Sequence, residues 1–251
     1  MSRQPTTTTG ATQKGPRPKM QQPTVQTGVV CPPGLEYLSV LNQLIIKQQI
    51  ELLEVLAGIE TANKYIACNN QGQSVYFLAE VSGFCTRCCC DANRCFDMHV
   101  YDTQNRVVMK FQRPLRCQSN YRGGCCCFLQ EVEVQAPPDH TIGFVNEECS
   151  FCRPSFTIND RSGKPVIRVQ GPCITQSIPC ACDVIFSVLT LSGNQIGMIT
   201  KQFSGALREL FTDADFFCVT FPMDLDVHAK ACLVACAILI DFMFFESPRN
   251  E

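Results

Sequence analysis

Residues 232–245, CLVACAILIDFMFF, form the most apolar passage of the chain, and a single carboxylate, Asp241, sits inside it. A helix that crosses the hydrocarbon layer needs about 20 predominantly apolar residues. The uninterrupted run here opens at Ala231 and closes at Phe245, between Lys230 and Glu246. An acid at the centre of a spanning helix costs about 2.5–3.5 kcal/mol and normally needs a partner on another helix. No second run of comparable apolarity is present to supply one. Helices apolar on every side are surrounded either by protein or by lipid. Length and Asp241 together favour an apolar helix over 227–245, from Val227 through Cys232 and Asp241 to Phe245, enclosed in protein rather than spanning a bilayer.

Such a helix needs something to enclose it, and the preceding chain supplies strands. From Pro32 onward, short runs rich in β-branched and aromatic residues alternate with turn residues, as in NKYIACNNQGQSVYFLAE, FDMHVYDTQNRVVMKF, SFTINDRSGKPVIRVQG and DVIFSVLTLSGNQIGMIT. Signals such as Asn69-Asn70-Gln71-Gly72, Ser162-Gly163 and Ser192-Gly193-Asn194 join extended stretches into successive hairpins. Alternation is clearest at Glu131–Gln135 and Val166–Val169. The expected fold is mainly β: one closed antiparallel barrel of about twelve strands wrapped around the C-terminal helix. Closure leaves no sheet edge, and Asp241 would meet a backbone donor or a cation near one mouth.

A chain of 251 residues with a formal charge of −2 and 18% charged residues has no global field to recruit nucleic acid or an anionic membrane, so any such attraction must be local. Residues 1–31 form a Pro/Thr/Gln-rich tail with Arg3, Lys14, Arg17 and Lys19, expected to be disordered. Its PxxP-like pieces, such as Pro16 to Pro18, match SH3 or WW ligands on pattern alone. The N-terminus lacks the apolar stretch of a secretory signal, so the chain is expected to begin in the cytosol, with its thiols kept reduced. Nineteen cysteines there are not a disulfide framework.

PPGLEYLSVLNQLIIKQQIELLEVLAGIETANKY, RPLRC, CCCFLQEVEVQAPP, VQGPC, FTDADFF, FPMDLDV and ILIDFMFFES occur in this order over residues 32–247. Together they resemble the phospholipid scramblase family. The resemblance implies a tubby-like barrel enclosing a C-terminal helix, calcium-activated and energy-independent exchange of phospholipids between leaflets, and palmitoylation of a cysteine cluster. The family's acylated cluster lies between RPLRC and FLQE, so the carry-over falls on Cys125, Cys126 and Cys127. Cys88, Cys89 and Cys90 are secondary candidates.

The residues are compatible with acylation. Neighbouring cysteines are poorly placed to bridge one another, and Arg106, Lys110, Arg113, Arg116 and Arg122 lie between Thr103 and Gln130 with no acid among them. A cation near an anionic leaflet contributes about 1 kcal/mol and each buried methylene about 0.8 kcal/mol. Zinc is the rival reading, because Cys85 with Cys88 and Cys149 with Cys152 have two-residue spacing. The remaining cysteines, including Cys232 and Cys236, read as small core residues.

Asp213, Asp215, Asp224 and Asp226 gather in FTDADFFCVTFPMDLDV, and hard cations favour such oxygens. The resemblance assigns calcium to Asp213, Asp215 and Asp224, with Phe217, Val219 and Phe221 as intervening ligands. As an EF-hand the segment is poor, since Cys218 occupies the turn position that calls for Gly, so low affinity is expected. CVTF also reads as a strand whose flanking acids are solvated turns, and both readings stay open. His99, His140 and His228 have no partners for acid–base catalysis. The family's nuclear-import stretch corresponds to GMITKQFSGA, where Lys201 alone is basic.

Two functions from different classes follow. One is a calcium-responsive phospholipid scramblase without covalent chemistry, held by palmitate at the plasma membrane or at internal membranes, with N-terminus and barrel cytosolic. The other is a palmitoylated adaptor or signalling scaffold that binds lipids or proteins. Expected partners are phospholipids, the membrane, SH3 or WW proteins and a second copy of the chain. Nucleic acid is disfavoured by net charge.

Overall fold

The computed structural model describes residues 31–49, 63–81, 95–115, 129–150, 152–173, 183–202 and 216–245. A short helix α1 (Glu36–Ser39) precedes twelve strands and a long helix α2 (Val227–Phe244). The strands are β1 (Gln43–Gln49), β2 (Lys64–Cys68), β3 (Ser74–Glu80), β4 (Phe96–Tyr101), β5 (Val107–Arg113) and β6 (Glu131–Gln135). They continue as β7 (Thr141–Glu148), β8 (Ser155–Asp160), β9 (Pro165–Gln170), β10 (Val184–Thr190), β11 (Gln195–Gln202) and β12 (Phe216–Thr220).

Each strand pairs antiparallel with the next from β1 to β12, and β1 also pairs with β12, so the sheet closes. The expected mainly β barrel of about twelve strands around an apolar helix is the observed fold. Side-chain alternation drives it: in β6, Val132 and Val134 are fully buried between the half-buried Glu131, Glu133 and Gln135. Gly72, Gly163 and Gly193 have φ of 76°, 80° and 89°, the left-handed conformation that tight hairpins need.

The meander sorts the connections between two ends. Turns at 69–73, 102–106, 136–140, 161–164 and 191–194 lie at one end, the turn mouth. At the opposite end are the strand ends that bound residues 50–62, 82–94, 116–128, 174–182 and 203–215, and α2 also finishes there. This is the exit mouth.

α2 fills the barrel. Every residue from Ala229 to Met243 is buried, with no polar face, as expected of a helix surrounded on all sides. The Asp226 carboxylate caps it by accepting from the N–H groups of His228 and Ala229. α1 closes the turn mouth with Leu35 and Leu38, both fully buried. Gly143 on β7 lets α2 come close, since a Cβ there would meet the Cys232 sulfur at 2.8 Å.

Candidate functional site

The helix is held at both ends by charged side chains taken out of water. Lys230, on the first turn of α2, is fully buried. Its ammonium donates to the carbonyls of Leu38 at 3.0 Å, Leu41 at 2.9 Å and Met223 at 2.7 Å, and lies 5.1 Å from the centre of the Phe221 ring. Three carbonyls satisfy its three donors. Burial lowers its pKa below the usual lysine value, against the opposing pull of Asp224. The sequence marks Lys230 only as a border of the apolar run; the structure places it inside the core.

Near the exit mouth, Asp241 meets a cation, one of the two kinds of partner expected from the sequence. Its Oδ2 accepts from the Tyr65 hydroxyl on β2 at 2.8 Å, and its Oδ1 lies 3.4 Å from the Lys201 ammonium on β11. Lys201 sits over the Phe217 and Phe245 rings at 4.6 and 5.4 Å. Phe242 packs on Phe96 with centroids 4.4 Å apart. Arg113, 2% exposed, donates twice to the Gln130 side chain at the same end. Lys201, Tyr65 and Arg113 carry no signal in the sequence that ties them to this network.

Two of the six calcium-directed residues lie within one strand. Phe217 and Val219 are inward, buried positions of β12, which pairs with β1 on one side and β11 on the other. Carbonyls in such a strand are directed at the neighbouring ladders. Phe221 is buried just past β12, with its N–H on the Asn42 carbonyl, while Asp224 is exposed beyond it at the turn mouth. β12 begins at the exit mouth, so five residues of extended chain, about 17 Å, separate its start from the side carrying Asp224. Asp213 and Asp215 lie outside the described residues.

Cys125, Cys126, Cys127, Cys88, Cys89, Cys90 and Cys85 also lie outside the described residues. The segments that carry them join strand ends at the exit mouth, as does the segment with Cys180 and Cys182. Cys149, Cys152 and Cys173 stand exposed at the same end. Among the described residues no three His, Cys, Asp or Glu side chains gather to hold a metal ion.

Of the basic residues expected as a patch on 103–130, Arg116 and Arg122 lie outside the described residues, and the other three are spread apart. Arg106 pairs with Asp102 at 2.7 Å and Lys110 with Asp139 at 3.0 Å, while Arg113 is buried. β5 runs from the turn mouth to the exit mouth, which spreads these charges along the wall instead of gathering them beside the cysteines. Cys232 and Cys236 are buried in α2. Burial pushes the Cys232 thiol up to about 12 and the Cys236 thiol higher still. His99 lies on β4, where burial and then Lys110 lower its pKa. His140 ends the β6–β7 turn, and His228 lies 3.4 Å from Asp226.

A meander barrel closed upon a buried, charge-anchored helix, with its cysteine-bearing connections collected at one mouth, defines the class. A family model described as Scramblase matches residues 21–247, and the chain belongs to that family. Phospholipid scramblase 2 of Bos taurus is 48% identical over 224 residues, 88% of this chain and 74% of the relative. Phospholipid scramblase 1 of Homo sapiens is 48% identical over 232 residues, 91% of this chain and 71% of the relative. Phospholipid scramblase family member 5 of Homo sapiens is 42% identical over 234 residues, 92% of this chain and 82% of the relative. No solved structure matches the chain.

Proposed function

We propose that this chain mediates calcium-responsive, energy-independent movement of phospholipids in both directions between membrane leaflets, without covalent chemistry. The observation that carries the reading is the 48% identity, over 88% of the chain, to a protein named phospholipid scramblase 2. Palmitate on Cys125, Cys126 and Cys127, with Cys88, Cys89 and Cys90 as further acceptors, holds the exit mouth against the bilayer. Two acyl chains suffice for stable anchoring. The barrel and N-terminus then face the cytosol, mainly at the plasma membrane, and phospholipid is the partner at that mouth.

The calcium response belongs to the acidic segment, at low affinity. Asp213, Asp215 and Asp224 supply the carboxylates, with Phe217, Val219 and Phe221 as intervening ligands, and the carbonyls of Phe217 and Val219, lying within β12, reach an ion only if the ladder opens.

The test is reconstitution of the acylated, purified chain into vesicles carrying reporter lipids. Calcium-stimulated exchange that falls with Asp213→Ala supports the reading, and no exchange at any protein density rejects it. Neutral hydroxylamine should release the protein from membranes by cleaving thioesters.

A second reading is favoured by one observation. The interior is filled by α2, so no lipid headgroup can pass through the barrel, and moving a headgroup through hydrocarbon without partners carries a large desolvation cost. An acylated adaptor that binds lipids or proteins needs no such passage. It predicts membrane attachment with no exchange in the same vesicles.

A further inference from the structure

The β8–β9 hairpin carries a feature that lipid movement does not use. Its register pairs Ser155 with Gln170, and one step outward the Gly171 N–H donates to the Pro154 carbonyl at 2.8 Å. Cys152 and Cys173 lie just beyond this last bonded step, where continuing the register would set them opposite one another. Residues opposite one another in an antiparallel pair have Cα atoms about 4.5–5.5 Å apart, within the roughly 4.4–6.8 Å that a disulfide spans. The two sulfurs are 3.0 Å apart, with the Cys152 thiol donating to Cys173. Cys173 also accepts from Nε of Arg153 at 3.4 Å. Both cysteines are exposed, whereas Cys68, Cys218, Cys232 and Cys236 are buried.

We infer that Cys152 and Cys173 form a thiol–disulfide exchange site for low-molecular-weight disulfides such as glutathione disulfide, with Cys173 as the attacking thiol and Cys152 as the resolving one. A guanidinium and a thiol proton directed at one sulfur favour its thiolate, the reactive form. The Cys173 thiolate attacks one sulfur of glutathione disulfide and expels one glutathione thiolate. Cys152 releases its proton to solvent and attacks the Cys173 sulfur of the mixed disulfide, expelling the second. The two protein thiols supply two electrons, and the products are one protein disulfide and two glutathione molecules. The bond ties the approach to β8 to the exit from β9 at the exit mouth.

The test uses the full-length reduced chain, incubated with graded ratios of glutathione disulfide to glutathione, acid-quenched, alkylated with N-ethylmaleimide and mapped by peptide mass spectrometry. A Cys152–Cys173 crosslink should form at ratios that leave Cys232 and Cys236 as thiols, and should persist in Cys149→Ser. Cys152→Ser should trap glutathione on Cys173, while Cys173→Ser should abolish the crosslink. Arg153→Gln should slow its formation about 3- to 10-fold near neutral pH, through the smaller thiolate fraction, with an unchanged circular dichroism spectrum.

Full alkylation of both thiols at every ratio overturns the site. So does indiscriminate pairing of Cys152 with Cys149, or stoichiometric protection of both thiols by zinc alone. Equal rates in Arg153→Gln overturn the assignment of Cys173 as the attacking thiol.

Discussion

The ammonium of Lys201 on β11 lies 3.4 Å from Oδ1 of Asp241 on α2, with each side chain 5% exposed. Tyr65 on β2 reaches the other oxygen of the same carboxylate at 2.8 Å. One acid therefore ties the helix to two separate staves of the barrel. Removing one member of a buried pair leaves the other charge without its counter-ion, which costs about 3–5 kcal/mol, whereas replacing both by apolar groups is close to neutral. Asp241→Ala should lower stability by that amount in urea unfolding followed by circular dichroism. Lys201→Met/Asp241→Leu should recover most of it. Equal losses in the single and double variants would show that the pair is not coupled.

At the turn mouth, Lys230→Met removes the donor from three carbonyls at once. A carbonyl left buried without a partner costs about 1–3 kcal/mol, and partial access of water to Met223 reduces the sum, so a loss of about 2–4 kcal/mol is expected. The effect carries a pH signature. Burial holds the folded-state pKa of Lys230 below the ordinary lysine value. Between that lowered value and the unfolded value of about 10.4, the unfolded chain binds more protons, so the lysine's contribution to stability rises with pH. The gap between wild type and Lys230→Met should widen as pH rises through this window, measured by urea titrations at successive pH values.

Cys232 and Cys236 should resist N-ethylmaleimide in the native protein at pH 8, because burial excludes the reagent and pushes the Cys232 thiol up to about 12. The exposed Cys149 should react under the same conditions. In denaturant all three should label alike. Labelling of Cys232 in the native state would show that α2 leaves the barrel on the timescale of the reaction.

Gly143→Ala tests how tightly the wall grips the helix. A Cβ at this position would lie 2.6 Å from the Asn159 carbonyl oxygen and 2.8 Å from the Cys232 sulfur. Overpacking of this kind costs about 1–3 kcal/mol. Adding Cys232→Ala should relieve the sulfur contact but not the backbone one, so partial recovery is expected in thermal unfolding. Full recovery would place all of the strain on the helix side.

Twelve strands, their turns and an enclosed helix are legible because each rests on a local pattern. Val132 and Val134 alternate with polar neighbours, Gly163 and Gly193 mark turns, and Ala231–Phe245 is apolar throughout. The need of Asp241 for a backbone donor or a cation is also legible, since a buried carboxylate requires a partner. Which cation is not: Lys201 is 40 residues away in sequence and Tyr65 is 176 away, and closure of the sheet alone brings them together. Lys230 reads as a helix border because its charge suggests solvent, and the Leu38, Leu41 and Met223 carbonyls that accept from it are invisible until the turn mouth is built. Arg106, Lys110 and Arg113 look like part of one patch in a linear reading, but the direction of β5 separates them. Cys149 and Cys152 attract notice by spacing, but the contact of Cys152 with Cys173 spans 21 positions across the β8–β9 hairpin, which spacing does not encode.

The sheet closes through β1 and β12, whose residues Gln43 and Cys218 touch across 175 positions, and α2 follows all twelve strands in the chain. During synthesis the staves therefore leave the ribosome before the plug that fills them. Until residues 227–245 emerge, the inward valines and phenylalanines have nothing to pack against, and the growing polypeptide is a sticky, unclosed sheet that chaperones must shield. Completion then comes in a single late step, and a nascent chain stalled before Val227 should be a substrate for quality control rather than a partly working protein.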